Sequence, residues 1–226
     1  MDKYSLLTDA YFGTGLFENG AGLRQHPRED PANYKDRQGL AYYLNYTGPI
    51  VNAAVDPIFK NDIKRDYNGS TLFQTFLDDC DRTGTDYQDF CKSAALQAKL
   101  YGVVYIVVDN SDELAERRSD AVAGRKLPFL KIVTPAQIKN WAIDRYGRLT
   151  MFQYTETSQV GANAKNTETY TWTQDSWAIG NGDGKATGNH NIGYVPVVQW
   201  LARNTDRKII KPPSEYLSVA QANYFL

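Results

Sequence analysis

Cysteine and histidine are scarce in this chain. Of 226 residues, two are Cys (Cys80, Cys91) and two are His (His26, His190). A disulfide-held secreted scaffold uses more cysteines at framework spacings, so both read as free thiols of a reducing compartment. A structural zinc site takes about four ligands, and no Cys-x-x-Cys is present, so no metal is expected. Long apolar runs are also missing. The longest stretch, Val103–Val108, is far shorter than the ~18–20 residues of a membrane span. Met1-Asp2-Lys3-Tyr4 lacks the basic and then apolar pattern of a signal peptide. These absences point to synthesis in the cytoplasm and to no membrane partner.

Charge of one sign is lacking too. Lys and Arg number 25 against 26 Asp and Glu, a net of −1. That excludes a uniformly basic polyanion binder driven by counterion release, while leaving room for a local patch. Residues 71–125 carry ten acids and six bases, and residues 126–226 carry eleven bases and seven acids. No Gly-x-Ser-x-Gly, His-Glu-x-x-His or Walker loop occurs. Gly13-Thr14-Gly15 has Glu18 where a dinucleotide loop has its third glycine, and no strand precedes it.

What is present suits an α+β protein of one large domain or two small ones. Hydrophobic residues make up 42% and aromatic ones 13%, an aromatic share typical of β-rich cores and interfaces. Residues 1–33, dotted with Gly13, Gly15, Gly20 and Gly22 and then Pro27 and Pro31, read as an arm, flexible or laid against a partner. Residues 34–211 form the domain proper, and residues 212–226 open a helix whose apolar face still runs at Leu226.

N-terminal helices come first. Asn33 is read as the cap of a helix carrying Leu40, Tyr43, Leu44 and Thr47 on one face. Gly48-Pro49 restarts it, with Thr47 as cap, and Asp56-Pro57 ends it. Capping boxes at Thr71-x-x-Gln74 and Thr85-x-x-Gln88 predict two more helices. The second runs Tyr87–Tyr101, buries Phe90, Ala94, Ala98 and Tyr101, and closes on Gly102. Small mixed or antiparallel sheets follow. Val103–Val108 is apolar on both faces and reads as a central, covered strand. Phe129–Val133 is another. Thr134-Pro135 opens one helical turn. A hairpin turn at Asp144–Gly147 leads into Leu149–Glu156. Thr169–Thr173 alternates strictly, and Tyr194–Leu201 is the last strand. Pro212-Pro213-Ser214 starts the final helix.

Candidate chemistry is sparse. Asp109, at a strand end, and Glu156 are the trial pair for a small glycoside hydrolase. Tyr170, Trp172 and Trp177 are the trial platform for a carbohydrate- or single-strand-binding module. Asp78, Asp79 and Asp81 crowd a helix end against its dipole and read as solvated acids. Asn181-Gly182-Asp183-Gly184 lacks the later acids of a calcium loop and reads as a turn. His26 and His190 read as surface histidines. No catalytic, cofactor or metal residue is assigned.

The order of segments carries further information. Tyr46-Thr47-Gly48-Pro49-Ile50-Val51 is followed by Ala94-Ala95-Leu96-Gln97-Ala98-Lys99-Leu100-Tyr101-Gly102, which runs into Val103–Val108 and Asp109. Then come Thr134-Pro135-Ala136-Gln137-Ile138-Lys139-Asn140-Trp141, the Gly147 hairpin and Asn191-Ile192-Gly193-Tyr194-Val195-Pro196-Val197-Val198. From about Tyr34 onward this resembles the N-terminal half of tailed-bacteriophage portal, or head–tail connector, proteins. The resemblance implies a structural virion protein and not an enzyme. It implies a wing-like α+β region, a final helix leading toward a stem, and homo-oligomeric rings that are dodecameric in the family. It also implies assembly in the bacterial host cytoplasm, with terminase, capsid and head-completion proteins as partners and double-stranded DNA passing through the channel. It transfers no DNA-contacting residue, and no cofactor.

Overall fold

The computed structural model describes residues 2–110, 117, 119–120, 127–159, 161, 165–180 and 186–225. Among them the chain is α+β, with six helices and two antiparallel sheets. In order the elements are α1 (Lys3–Phe12), a 3-10 turn (Gly15–Phe17), α2 (Pro31–Leu40), α3 (Thr47–Val55), α4 (Thr71–Asp78) and α5 (Tyr87–Tyr101). Next are β1 (Val103–Asp109), β2 (Phe129–Val133), β3 (Ile138–Ile143), β4 (Leu149–Gln159) and β5 (Lys165–Thr173). The last are β6 (Ser176–Ile179), β7 (Ala186–Asn189), β8 (Val197–Leu201) and α6 (Leu217–Phe225). One sheet has the order β2-β1-β8, and the other is the meander β3-β4-β5-β6-β7.

The hinge of the architecture is the α5–β1 junction. The Asp86 carboxylate accepts the amide of Asp89 at 2.9 Å and so starts α5, satisfying a donor with no partner inside the helix. Phe90, Ala94 and Ala98 are buried along its length. Gly102 ends it at φ +92°, where its amide reaches the Ala98 carbonyl. A Cβ there would also lie 3.0 Å from the carbonyl oxygens of Pro212 and Pro213, so glycine is required twice over. The chain then enters β1 at once. Val104 and Ile106 pack against α5 with Phe90, Ala94 and Cys80. Val103, Tyr105 and Val107 face the other way, into a core shared with Val133, Ile138, Phe152, Tyr154 and Trp172. This period-two division makes β1 the middle of three layers: helices, small sheet, large sheet.

Several boundaries differ from the sequence expectation. The stretch expected as a flexible arm is largely folded. Tyr4, Leu6, Leu7 and Ala10 of α1 are buried in a helical core with Phe17, Val51, Leu100 and Ala220. Burying a leucine of this kind contributes roughly 1.5–3 kcal/mol, which the glycines that follow do not offset. Helix α2 is capped by Asp30, whose carboxylate accepts from Ala32, with Pro31 in the first turn; the expected cap was Asn33. It stops at Leu40, so residues 41–46 lie outside any helix and do not continue a helical face. Ser70 caps α4 where Thr71 was expected, and Asp86 caps α5 where Thr85 was. The last α-helix begins at Leu217, four residues after Pro213. The Asp144–Gly147 turn is formed as expected, with the Gly147 amide donating to the Asp144 carbonyl at 3.0 Å.

Candidate functional site

Two regions gather the side chains that the sequence singled out or overlooked. The first is the end of the core between the sheets. β4 and β5 pair Phe152 with Trp172, Tyr154 with Tyr170 and Glu156 with Glu168. Along this face the side chains therefore change from aromatic to acidic. β1 and β2 bring Asp109 opposite Phe129 and Val107 opposite Lys131. The Lys131 ammonium lies 3.0 Å from Glu156 Oε2 and 4.9 Å from the Tyr170 ring centre. The Tyr170 hydroxyl donates to Glu168 at 3.2 Å. Tyr170 stacks on Tyr154 at 5.2 Å with 12° between the planes.

The structure thus brings Asp109 and Glu156 to one end of the core. Burial first, and then the Glu156 charge, push the Tyr154 and Tyr170 hydroxyls well above the ordinary phenol range, and Asp109 adds to both. Both phenols stay protonated. Glu156 is tied to Lys131, and both partners keep about a third of their side-chain surface, so the pair contributes ~1 kcal/mol or less. Beneath them the Tyr154 hydroxyl and the Trp172 Nε1 are buried with no hydrogen bond within ordinary geometric limits, although the Trp172 N–H is near enough to the Tyr154 hydroxyl to lower its pKa against burial. The hollows of about 480 and 580 Å³ lie elsewhere, in the helical layer.

The trial aromatic platform is core. Trp172 is 5% exposed, and Tyr170 and Trp177 pack against the same cluster. The outward side of β5 presents Thr167, Thr169, Thr171 and Thr173 instead, in register with Thr157, Thr155, Gln153 and Met151 of β4. The crowded acids build their own loop. Asp79 accepts the Gly84 amide at 2.9 Å, and Asp81 accepts those of Thr83 and Thr85 at 2.9 and 3.3 Å. Among the described residues, no three His, Cys, Asp or Glu converge on a possible metal position. His190 lies 3.1 Å from the Thr173 carbonyl and ties down the chain after β7, while His26 Nδ1 accepts the Arg28 amide. Gly13 is the left-handed cap that closes α1, which accounts for the first glycine of Gly13-Thr14-Gly15. Residues 181–184 lie outside the described residues.

The second region was not anticipated. A groove of about 480 Å³ opens between the 3-10 turn, the extended residues 41–44 and α6. Leu16, Leu23, Leu40, Tyr42, Leu44 and Tyr224 line it. Leu40 and Tyr42 are each 81% exposed. Its floor is polar and well ordered. Asn223 Oδ1 accepts from the Tyr43 hydroxyl at 2.8 Å, the Tyr46 amide at 3.0 Å and the Thr47 hydroxyl at 3.3 Å. Asn223 Nδ2 donates to the Leu44 carbonyl at 2.7 Å. One amide side chain thereby pairs with the extended backbone as a neighbouring strand would. Tyr43 turns inward and Tyr42 outward, leaving an apolar rim on a rigid base. The sequence signal for this was the Tyr42-Tyr43-Leu44-Asn45-Tyr46 run, whose aromatics favour extended chain over helix. No protein-family model matches the chain, and no curated protein matches it.

Proposed function

We propose that the chain is the wing-like part of a tailed-phage portal subunit, a structural virion protein whose copies form the ring through which double-stranded DNA enters and leaves the capsid. The order of segments supports this reading, and one observation carries it: the exposed apolar groove at Leu40, Tyr42 and Leu44. Contiguous apolar surface held on a rigid base is the signature of a protein contact. In a ring each subunit offers one surface and receives a different one, and the contact repeats until it closes. A groove on one side of the domain suits such a head-to-tail contact. On this reading the partners are other copies of the chain, then terminase, capsid and head-completion proteins, and no reaction is catalysed.

The test is negative-stain microscopy of the natural polypeptide, beside a variant with Tyr42→Ser and Leu44→Ser. Rings with an open channel are expected from the first. The second should remain folded and yield free subunits. Uniform small monomers from the natural polypeptide would overturn the portal reading. Intact rings from the variant would remove the groove from the interface.

A further inference from the structure

The chain holds three Asn-Gly pairs, Asn19-Gly20, Asn68-Gly69 and Asn181-Gly182. In such a pair the glycine amide nitrogen can reach the asparagine Cγ, because glycine carries no Cβ to hinder the approach. How often it does so depends on how firmly the surrounding backbone is held. Residues 181 and 182 lie outside the described residues. The other two pairs share a local conformation and differ in their surroundings.

Each forms the centre of a tight turn with positive φ at both positions. The values are +49° and +67° at Asn19 and Gly20, and +52° and +67° at Asn68 and Gly69. Attack requires the asparagine ψ to rotate until the next nitrogen faces Cγ, so the turn must open first. At Asn19 many contacts oppose this. The Ala21 amide donates to the Glu18 carbonyl at 2.9 Å, and the Gly22 amide to the Leu16 carbonyl at 2.8 Å. The Gly20 carbonyl accepts from the Leu23 amide at 3.0 Å and from Gln38 Nε2 at 3.4 Å. A Cβ on Gly20 would lie 2.9 Å from the Gln38 carbonyl oxygen.

At Asn68 little opposes it. The Ser70 amide closes the turn on the Tyr67 carbonyl at 3.1 Å, and Asp66 Oδ1 accepts the Asn68 amide at 3.0 Å. Nothing lies within 4 Å of a Cβ built on Gly69, and both residues are exposed. The strap between α3 and α4 is anchored upstream of the turn. There Gln88 bonds the Asn61 carbonyl and the Ile63 amide at 3.2 and 3.3 Å, and Arg65 lies 4.8 Å from the Tyr87 ring centre. Sparse contacts and exposed hydrogen bonds mark a segment that opens locally.

We propose that Asn68 is a site of spontaneous deamidation whose product loosens the start of α4. The Gly69 nitrogen gives its proton to solvent base and attacks Asn68 Cγ. A carbon–nitrogen bond forms, the bond from Cγ to the side-chain nitrogen breaks, and ammonia leaves. Water then opens the cyclic imide at either carbonyl, giving aspartate or isoaspartate. The net change is one ammonia lost, one water gained and one negative charge added. Isoaspartate also routes the main chain through the former side chain and lengthens it by a methylene between Tyr67 and Ser70. Both residues hold the start of α4, a helix with no fully buried residue. Ser70 Oγ accepts the Phe73 amide at 3.4 Å, its carbonyl accepts the Gln74 amide at 3.0 Å, and the Tyr67 hydroxyl donates to the Gln74 side chain. The inference stands whether or not the chain forms rings.

The experiment is incubation of the protein at mildly alkaline pH, followed over time by peptide mapping with mass detection, which separates asparagine, aspartate and isoaspartate at each position. Product should accumulate at Asn68 at least ~10-fold faster than at Asn19, a factor equal to about 1.4 kcal/mol of extra opening cost. In concentrated urea both turns are open, and the two rates should converge. Hydrogen exchange of the α4 amides should quicken in aged wild type but not in aged Asn68→Gly, whose Gly-Gly pair suits the same turn. Equal rates in the folded protein, no product at Asn68, a preference that survives in urea, or unchanged α4 exchange once isoaspartate has formed would each overturn the proposal.

Discussion

Replacing Asn223 with alanine should loosen the joint between α6 and the α2–α3 connection. Asn223 is 6% exposed, and Thr47, one of its partners, is fully buried. Alanine removes four hydrogen bonds at once. The Tyr43 hydroxyl keeps its 2.7 Å bond to the Ala10 carbonyl, so it loses little. The buried Thr47 hydroxyl, the Tyr46 amide and the Leu44 carbonyl lose the partner that Asn223 supplied. A stranded buried group costs about 1–3 kcal/mol, and a partly solvated bond about 0.5–1.5. The total is about 2–5 kcal/mol. For a domain of this size, each kcal/mol moves the melting temperature by about 2–4 °C. A fall centred near 10 °C, measured by far-ultraviolet circular dichroism, is therefore expected. Thr47→Val removes the most buried of the stranded groups in advance. In that background Asn223→Ala should cost about 1 kcal/mol less than it does alone, because residues sharing a network are not additive. An Asn223→Ala protein melting within about 1 °C of the wild type, or strictly additive costs, would refute the network.

Two buried tyrosines in the core between the sheets should respond oppositely to loss of the hydroxyl. Tyr105 donates to the Ile210 carbonyl at 2.8 Å and accepts from Gln199 at 3.1 Å, so Tyr105→Phe should cost about 1–3 kcal/mol in urea unfolding. Tyr154 makes no hydrogen bond within ordinary geometric limits, and the Trp172 N–H only offsets part of the effect of burial on its hydroxyl, so Tyr154→Phe should be neutral or stabilising; an equal cost for both would contradict its assignment. Burial, and next the Asp81 charge, push the Cys80 thiol up to about 12. Cys80 should therefore resist a disulfide reagent at neutral pH until the protein unfolds, and rapid native-state labelling would count against this. Burial alone would raise the Asp81 pKa, but hydrogen bonds from Thr83 and Thr85 outweigh it and hold the carboxyl below its ordinary value. A group depressed in the folded state stabilises above its unfolded pKa, and that stability is lost as pH falls through the folded value. Asp81→Ala should cost about 1 kcal/mol at neutral pH, with the gap narrowing below about pH 4. A gap unchanged in acid would show that the carboxylate charge plays no part.

Local chemistry was legible where it dominated. Val103–Val108 is apolar on both faces because two different cores use it, and Gly102 announces the left-handed step before it. The strict alternation of Thr169–Thr173 separated Tyr170 and Trp172 from the threonines, as the two faces of β5 do. Long-range packing was not legible. Helix α1 is held by Leu100 and Ala220, residues far along the chain, and its own pattern is short. The groove at Tyr42 escaped because Leu40, Tyr43, Leu44 and Thr47 also fit a helical face.

The strand order β2-β1-β8 has a consequence for biosynthesis. β1 pairs Val103 with Leu201 and Val107 with Val197, so its partner along one edge is made about ninety residues after it. At ribosomal speeds of about 5–20 residues per second, that edge waits for about 5–20 s. Throughout the delay a strand of valines and isoleucine presents unpaired amides and carbonyls, the template on which foreign chains add. Helix α5, made just before β1, can shield one face early. The other face is covered once Phe152, Tyr154 and Trp172 are made, but the open edge stays unprotected until β8 arrives, so the newborn chain should lean on chaperones most heavily in that interval and little after it.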